Sequence, residues 1–508
     1  MNMQNPGYFR IKPDVTVAII GAGFSGLGMA IKLRQAGMED FVVLEKADDV
    51  GGTWRENQYP GCACDVPSHL YSFSFEPKPD WTRAFSPQGE IWDYLRACTE
   101  KYGLKDFIKF GKEVTRAEFD DTSTLWRITT ADGESFTSQH VVAGTGGLHI
   151  PSYPEILGLS EFKGQVMHSA TWDHNVDLKD KKVVVIGTGA SAIQFVPKIA
   201  PDAEHITIFQ RTAPWIMPKP DKDYSDSEKS RFKKWPGFRN FVRKLIFFRL
   251  ELITWLMNKR PDLIQRGEKI GLDHIEASIQ DPELRKKVTP NFRLGCKRVL
   301  MSNEWYQVLD SDKVDLETDG IASISENSVT TRDGRTIRAD VILLGTGFRP
   351  FEMPDGLEVL GRGSKSLREE WDVFPEAYLG ITVSGFPNYY VMLGPNTGLG
   401  SNSVVLMIEA QIQFAMDAIR TMHQQNIAFM DVREEVQRAY NEDIQEKLQG
   451  TVWTTGCVSW YQTREGRNGA IWPGSTLGYR LRTNRIKARD YEVVQAAPLP
   501  AVTNTAAE

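Results

Sequence analysis

The hydrophobic pattern repeats one device twice. VTVAIIGAGFSG (15–26) is an apolar, β-branched run that ends in a glycine-rich turn. MAIKLRQAG follows at helical spacing, then a second apolar run, FVVLEK, ends at Glu45. KKVVVIGTGASA (181–192), AIQFVPKIA and HITIFQRT repeat the order. Strand, turn, helix and strand in succession predict an α/β fold with two Rossmann-like units. Two further apolar runs end in glycine turns, VVAGTGG (141–147) and DVILLGTGF (340–348). They are expected where the chain crosses between two domains. The most apolar stretch, LIFFRLELITWLM (245–257), is too short to span a bilayer and carries Arg249 and Glu251. Arg243, Lys244, Lys259 and Arg260 flank it. It reads as a buried or half-buried helix, with contact to membrane or guidance of an oily substrate as the lesser alternative.

The glycines of the first turn have separate tasks. Gly21 permits the tight bend, Gly23 lets a pyrophosphate approach the backbone, and Gly26 lets the helix pack on the strand. Phe24 and Ser25 complete the turn, and the helix N-terminus faces the phosphates. Glu45, at the end of the second strand, is placed to accept hydrogen bonds from a ribose diol. In the second turn Gly187 and Gly189 take the first two tasks and Ala192 stands in for the third glycine, with Thr188, Ala190 and Ser191 between them. Where the first unit has Glu45, the second has Gln210, Arg211 and Thr212. An arginine removes repulsion toward a 2′-phosphate and supplies a forked donor for it. The first unit is therefore expected to hold FAD and the second NADP, with NADPH preferred over NADH.

Composition narrows the class without changing the fold. With 508 residues the chain has material for two or more domains. A net charge of −6 gives no reason to expect a nucleic-acid partner. The five cysteines are scattered, with no Cys/His cluster for a metal, and a reducing cytosol fits them. Cys62 and Cys64 are too close for an easy disulfide and read as small packing residues. MNMQNPGYFRIKPDV lacks the apolar core of a signal peptide.

Between the two units lies FKGQVMHSATWD (162–173), which spends Phe162, Gly164, His168, Trp172 and Asp173 on a connection. These positions match F-x-G-x-x-x-H-x-x-x-W-[PD], the fingerprint of the type I Baeyer–Villiger monooxygenases, at every specified place. The chain resembles that family from about Val15 to Arg485. The resemblance implies FAD and NADP as cofactors, with O2 and a small-molecule ketone as substrates. NADPH would reduce the flavin, a flavin C4a-peroxide would attack the ketone carbonyl, and an ester or lactone would result. It implies a structural or coupling role for His168 rather than direct chemistry.

The resemblance also implies site residues. FRLGCKRVLMSNEWY (292–306) is similar to the segment whose arginine enters the active site while the preceding lysine helps hold the 2′-phosphate. Those roles pass to Arg298 and Lys297. YPGCACDVPSHLYSFSF (59–75) is similar to the segment in which an aspartate, here Asp65, pairs with that arginine beside the flavin. Thr53, Trp54 and Tyr71 match positions that contact FAD. FPNYYVMLGPNTGLGSNSVV (386–405) looks like the return to the FAD domain, with its glycines and Asn402 placing backbone against the isoalloxazine and Ser403 where some relatives have a bulkier pocket residue. In GCVSWYQTREGRNGAIWPGST (456–476), Trp460 is the candidate for closing over the nicotinamide.

The domain expectation is an FAD-binding part at 1–150, an NADP-binding part at 151–383 with a helical insertion at about 222–290, a second FAD-binding part at 384–495, and a disordered tail at 496–508. Three enzyme classes share this layout. Ketone oxygenation is favoured by the complete fingerprint and by Lys297–Arg298. A flavin N- or S-monooxygenase, acting on amines or sulfides, is the alternative. A flavin disulfide reductase needs a redox pair such as C-x-x-C, which the C-x-C at 62–64 does not supply. No metal, nucleic-acid or membrane partner is expected, and nothing in the sequence sets an oligomeric state.

Overall fold

The two apolar-run and glycine-turn segments form the centres of two separate sheets. The computed structural model describes residues 12–496, apart from 351, 455, 458, 460 and 463–465 and the side chains of 258, 261 and 262. The proposed tail, beyond 496, lies outside the described residues, as does Trp460. Ala496 itself donates its N–H to Asn426.

In the first sheet β1 (Val15–Ile20) lies between β2 (Phe41–Leu44) and β6 (Ser135–Ala143), parallel to both. The strand β3 (Ile108–Lys109) extends it beyond β2, and β4 (Val114–Asp120) and β5 (Leu125–Thr130) form an antiparallel extension from β6. A late strand, Tyr389–Val391, returns to pair with β6 in parallel. Helix α1 (Phe24–Gln35) covers one face and packs on the long helix Val404–Gln425. Two short helices follow, α2 (Thr53–Glu56) and α3 (Gln88–Lys101).

The second sheet is five-stranded and wholly parallel. Its centre is β8 (Lys182–Ile186), flanked by β9 (His205–Phe209) and by the strand Val341–Leu344. Helix α4 (Ala192–Ile199) makes the crossover from β8 to β9. The fingerprint stretch supplies the edge strand β7 (Gln165–His168), which pairs with Val341–Leu344. It is therefore part of the second sheet as well as a connection. All four residues of Val341–Leu344 are buried, as parallel strands covered on both faces must be.

The two crossing segments run side by side. Ser152 donates its N–H to Gly347 at 2.8 Å and Arg349 to Ile150 at 2.9 Å. The ring of His168 sits at the end of β7 between Tyr153 and Phe348, one from each crossing. Its Nδ1 accepts the Ala170 N–H at 3.1 Å, and burial pushes its pKa below the ordinary imidazole value. Gly164 is required by close approach, because a Cβ there would lie 2.2 Å from the Asp340 carbonyl oxygen. Trp172 packs its ring on Phe195 of α4 at 5.4 Å. The fingerprint residues thus pin the joint between the units by packing.

Four helices lie between β9 and the Arg298 segment: α5 (Asp226–Lys234), α6 (Pro236–Lys259), α7 (Pro261–Ser278) and α8 (Pro282–Val288). The apolar stretch 245–257 belongs to α6. It is less buried than its composition suggests, for one long face is open to solvent. Among the described residues no helix is long and apolar enough to cross a membrane. Cys296 and Cys457, 161 residues apart, form a disulfide, a departure from the reduced state that the cysteine pattern suggests. Cys62, Cys64 and Cys98 are buried free thiols.

Candidate active site between two nucleotide turns

The first turn is built for close approach. At Gly26 a Cβ would sit 1.8 Å from the Gly21 carbonyl oxygen, so the helix can lie this near the strand only as glycine. Gly23 faces Gly52, where an added Cβ would come within 3.1 Å of the Gly23 Cα. No side chain caps α1 and its first turn holds no acid. Its leading N–H groups are thus free of side-chain competition for a pyrophosphate. Glu45 is buried, and its carboxylate accepts from the Ala22 N–H at 2.7 Å and the Ala47 N–H at 3.0 Å. These bonds hold it against the turn. Phe24 meets Tyr71 edge-on at 5.3 Å, and Tyr71 accepts a hydrogen bond from the Trp54 indole at 3.1 Å. Thr53 begins α2, directly after Gly52. The residues present fit an FAD diphosphate and ribose.

The second turn uses the same device more openly. Gly187 has φ of 107°, and a Cβ there would meet the Gly345 carbonyl oxygen at 2.5 Å. Ala192 is fully buried, so the third position of this turn tolerates a methyl group. Thr188 is buried, Ser191 half-buried, and Gly189 and Ala190 are exposed. Arg211 is exposed just past β9, with Thr212 half-buried beside it. Burial pushes the Lys297 ammonium below its ordinary pKa, and the positive charge of Arg211 pushes it further. Two cations from segments 86 residues apart therefore share one space. An anion such as a 2′-phosphate relieves that repulsion, so these residues fit NADP.

Asp65 and Arg298 meet across the chain. The Arg298 Nε donates to Asp65 Oδ2 at 3.1 Å, and Nη2 donates to the same oxygen. Both side chains are half-buried, and the carboxylate charge pushes the guanidinium pKa upward. The segment that bears Asp65 is clamped on α4 of the second unit. Tyr59 donates its hydroxyl to Gln194 at 2.9 Å, and the Gln194 amide donates to the Ala63 carbonyl at 3.0 Å. Gly61, with φ of 79°, permits this contact, since a Cβ would touch the Gln194 carbonyl oxygen at 2.7 Å. The pair therefore lies where the two nucleotide units join.

Asn402 is buried and donates its amide to Glu251 of α6 at 2.8 Å, while its own oxygen accepts the Ser403 N–H. Its side chain is thus committed to α6. Tyr461, next to Trp460 and buried, is near enough to Arg298 and Asp65 to feel both charges. Burial pushes its phenol up to about 12, and the Arg298 charge draws it back. Lys219 is a second half-buried cation near Asp65 and Asp221. Gln194, Tyr461 and Lys219 were not signalled by any local pattern. Only the position of Tyr461 inside the loop chosen for Trp460 could have drawn attention to it.

Known proteins are similar to this chain over nearly its whole length. The model of the family described as flavin-binding monooxygenase-like matches residues 14–354. A Baeyer–Villiger monooxygenase of Pseudomonas aeruginosa is 46% identical over 96% of this chain and 93% of its own. One from Streptomyces coelicolor is 43% identical over 96% of this chain and 94% of its own. Among solved structures, closed cyclohexanone monooxygenase superposes with a TM-score of 0.85 at 27% identity, over 96% of this chain and all of that one. Oxidized steroid monooxygenase bound to NADP gives 0.83 at 26% identity, over 95% of this chain and 99% of that one. With two dinucleotide turns, an intervening arginine–aspartate pair and these similarities, the chain belongs to the flavin-binding monooxygenase-like family.

Proposed function

We propose that the protein is an NADPH- and FAD-dependent Baeyer–Villiger monooxygenase, converting a ketone, O2, NADPH and a proton to an ester or lactone, NADP and water. The Arg298–Asp65 pair at the junction of the two units carries this reading. Residues 1–150 and 384–495 form the FAD part and 151–383 the NADP part in this scheme. When bound, FAD accepts hydride from NADPH and activates dioxygen.

The remaining work falls to the protein. Gly21, Gly23 and Gly26 admit the FAD diphosphate and Glu45 its ribose. Gly187 and Gly189 admit the NADP diphosphate, with Arg211 and Lys297 on the 2′-phosphate. Asp65 engages two of the five N–H donors of Arg298, and the others remain for an anionic oxygen. The guanidinium keeps its charge at every working pH, so it can favour a negatively charged oxygen nucleophile over its protonated form. Asp65 sets the position of that cation. Tyr461, buried, adds a phenol within reach of both charges. A reaction that consumes NADPH at each turnover belongs in the compartment that regenerates it, so the cytosolic assignment forms part of the proposal. The buried Cys296–Cys457 pair is shielded from soluble reductants.

The test is product analysis with 18O2, NADPH, a panel of linear and cyclic ketones, and a sulfide. Labelled ester or lactone is expected. Sulfoxide with no ester from any ketone would move the enzyme to the sulfide-oxidising class. Arg298→Ala should still be reduced by NADPH yet lose ester formation by about two to three orders of magnitude. Asp65→Ala should lose about a hundredfold of oxygenation, as expected for a mispositioned catalytic group. Normal ester formation in either variant would remove that residue from the site.

A further inference from the structure

Helix α6 carries an apolar stripe that the fold leaves uncovered. Phe238, Phe241, Leu245, Phe248, Leu252 and Trp255 recur at spacings of three and four, so they share one face. Four of them are strongly exposed: Phe241 61%, Leu245 60%, Phe248 61% and Leu252 56%. Trp235, just before the helix, is 67% exposed. Scattered exposed apolar residues need no explanation, but a continuous stripe of this length marks an interaction surface.

The opposite face of α6 is tied to the body of the enzyme at several points. Arg243 donates to the His69 carbonyl at 2.6 Å and to the Ser72 carbonyl at 3.0 Å. Glu251 accepts from Asn402 and from Thr476, and the Thr254 hydroxyl pairs with Ser401 at 2.6 Å. Met257 reaches Gly295, where a Cβ would lie 2.5 Å from its terminal methyl. The helix is therefore fixed on the body of the enzyme, and rotation cannot bury the stripe.

Charge selects the occupant. Residues 229–260 hold ten Lys and Arg against one acid, Glu251, in a chain of net charge −6. Arg231, Lys233, Lys234, Lys244, Arg249 and Lys259 are exposed on this segment, whereas Glu251 is turned inward to Asn402 and Thr476. A second copy docking through the same face would set this positive segment against itself. An anionic surface would not. Aromatic and leucine side chains on one face, with basic residues beside them, are the makeup of a helix that lies in a membrane interface. At 24 residues α6 is about 36 Å long, enough to lie along a bilayer.

We propose that the outward face of α6 docks the enzyme on an anionic lipid bilayer, with Phe241, Leu245, Phe248 and Leu252 at the acyl boundary and Lys244 and Arg249 on lipid phosphates. The inner face of the same helix touches the segments next to Arg298 and Asp65, so docking would bring an apolar ketone dissolved in lipid close to the site.

Co-sedimentation of the FAD-loaded enzyme with two kinds of vesicle tests this. Vesicles of phosphatidylcholine mixed with phosphatidylglycerol should carry the enzyme down, and pure phosphatidylcholine should bind it far less. Phe241→Ser with Phe248→Ser should weaken binding by at least about tenfold. Lys244→Gln and Arg249→Gln should each weaken it by about fivefold at low salt. All four positions are exposed, so FAD content and thermal midpoint should not change. Absence of binding to anionic vesicles overturns the proposal, as does binding indifferent to Phe241 and Phe248. Sedimentation equilibrium supplies the rival outcome: a dimer dissociated by the double serine variant, without vesicle binding, would make this face a contact between copies.

Discussion

The two nucleotide turns share a chain pattern but differ in how they are enclosed. In the first, Ala22, Phe24, Ser25 and Gly26 are all buried, and Glu45 is 6% exposed. Phe24, Tyr71 and Trp54 form an aromatic cover beside it. In the second, Gly189, Ala190 and Arg211 are exposed. The same strand–turn–helix unit can therefore serve two residence times. An enclosed turn, its acid held by backbone N–H groups, suits a nucleotide that stays through many cycles. An open turn, reading its nucleotide with long flexible cations, suits one that must leave after each hydride transfer. The contrast arises outside the glycines, in Glu45 against Arg211 and in what packs over each turn.

The largest effect that could break this contrast is expected at Gly26. An alanine there would force its methyl against the Gly21 carbonyl oxygen and push α1 off β1. Overpacking of this kind costs about 1–3 kcal/mol in stability. Gly26→Ala should purify with little bound FAD, measured as the ratio of flavin to protein absorbance. The second unit already has Ala192 in the equivalent place, and its turn accommodates it. Full FAD occupancy in Gly26→Ala would show that the close packing of the first turn is not what retains the cofactor.

Arg211 gives the next effect. With Arg211 on the 2′-phosphate as proposed, Arg211→Ala should remove a charge-assisted contact worth about 1.5–3 kcal/mol, or give roughly a 10- to 100-fold rise in KM for NADPH. KM for NADH should stay nearly constant, and FAD content should not move. Equal rises for both nucleotides would detach Arg211 from the 2′-phosphate and reduce the contrast between the units to their packing.

What was readable from sequence follows the range over which each signal acts. The turns, Glu45 and Arg211 lie within one strand–helix–strand unit, where periodicity and glycine spacing are direct consequences of the backbone. The Asp65–Arg298 contact joins residues 233 apart, and no local pattern encodes it. Only the family resemblance brought those two residues together. Gln194, Tyr461 and the Cys296–Cys457 link are of the same long-range kind. Helix α6 teaches a different lesson. Its apolar spacing was visible, but composition alone places such residues in a core. Whether a neighbour covers them depends on the packing of the whole chain. Asn402 shows the converse: its segment returns to the first unit, yet its amide is taken by Glu251, an acid on an inserted helix.

The finest probe of the contrast is pH. Lys297 has its pKa lowered by burial and by Arg211. In the free enzyme it therefore loses its proton at a lower pH than an ordinary lysine. In the proposed site the ammonium is present below that pKa to hold the 2′-phosphate, and above it the contact should weaken. KM for NADPH should accordingly rise at alkaline pH, while KM for NADH, which has no 2′-phosphate, should not show that limb. The bound phosphate favours the charged form, so the limb in kcat should lie above the limb in kcat/KM. Removing Arg211 removes one cause of the depression. In Arg211→Ala the kcat/KM limb for NADPH should therefore move to higher pH, even as the KM at neutral pH becomes worse. A structural role for Arg211 would lower affinity without moving the limb. A pH profile that separates NADPH from NADH thus distinguishes an exchanging site read by charge from an enclosed one read by backbone and packing.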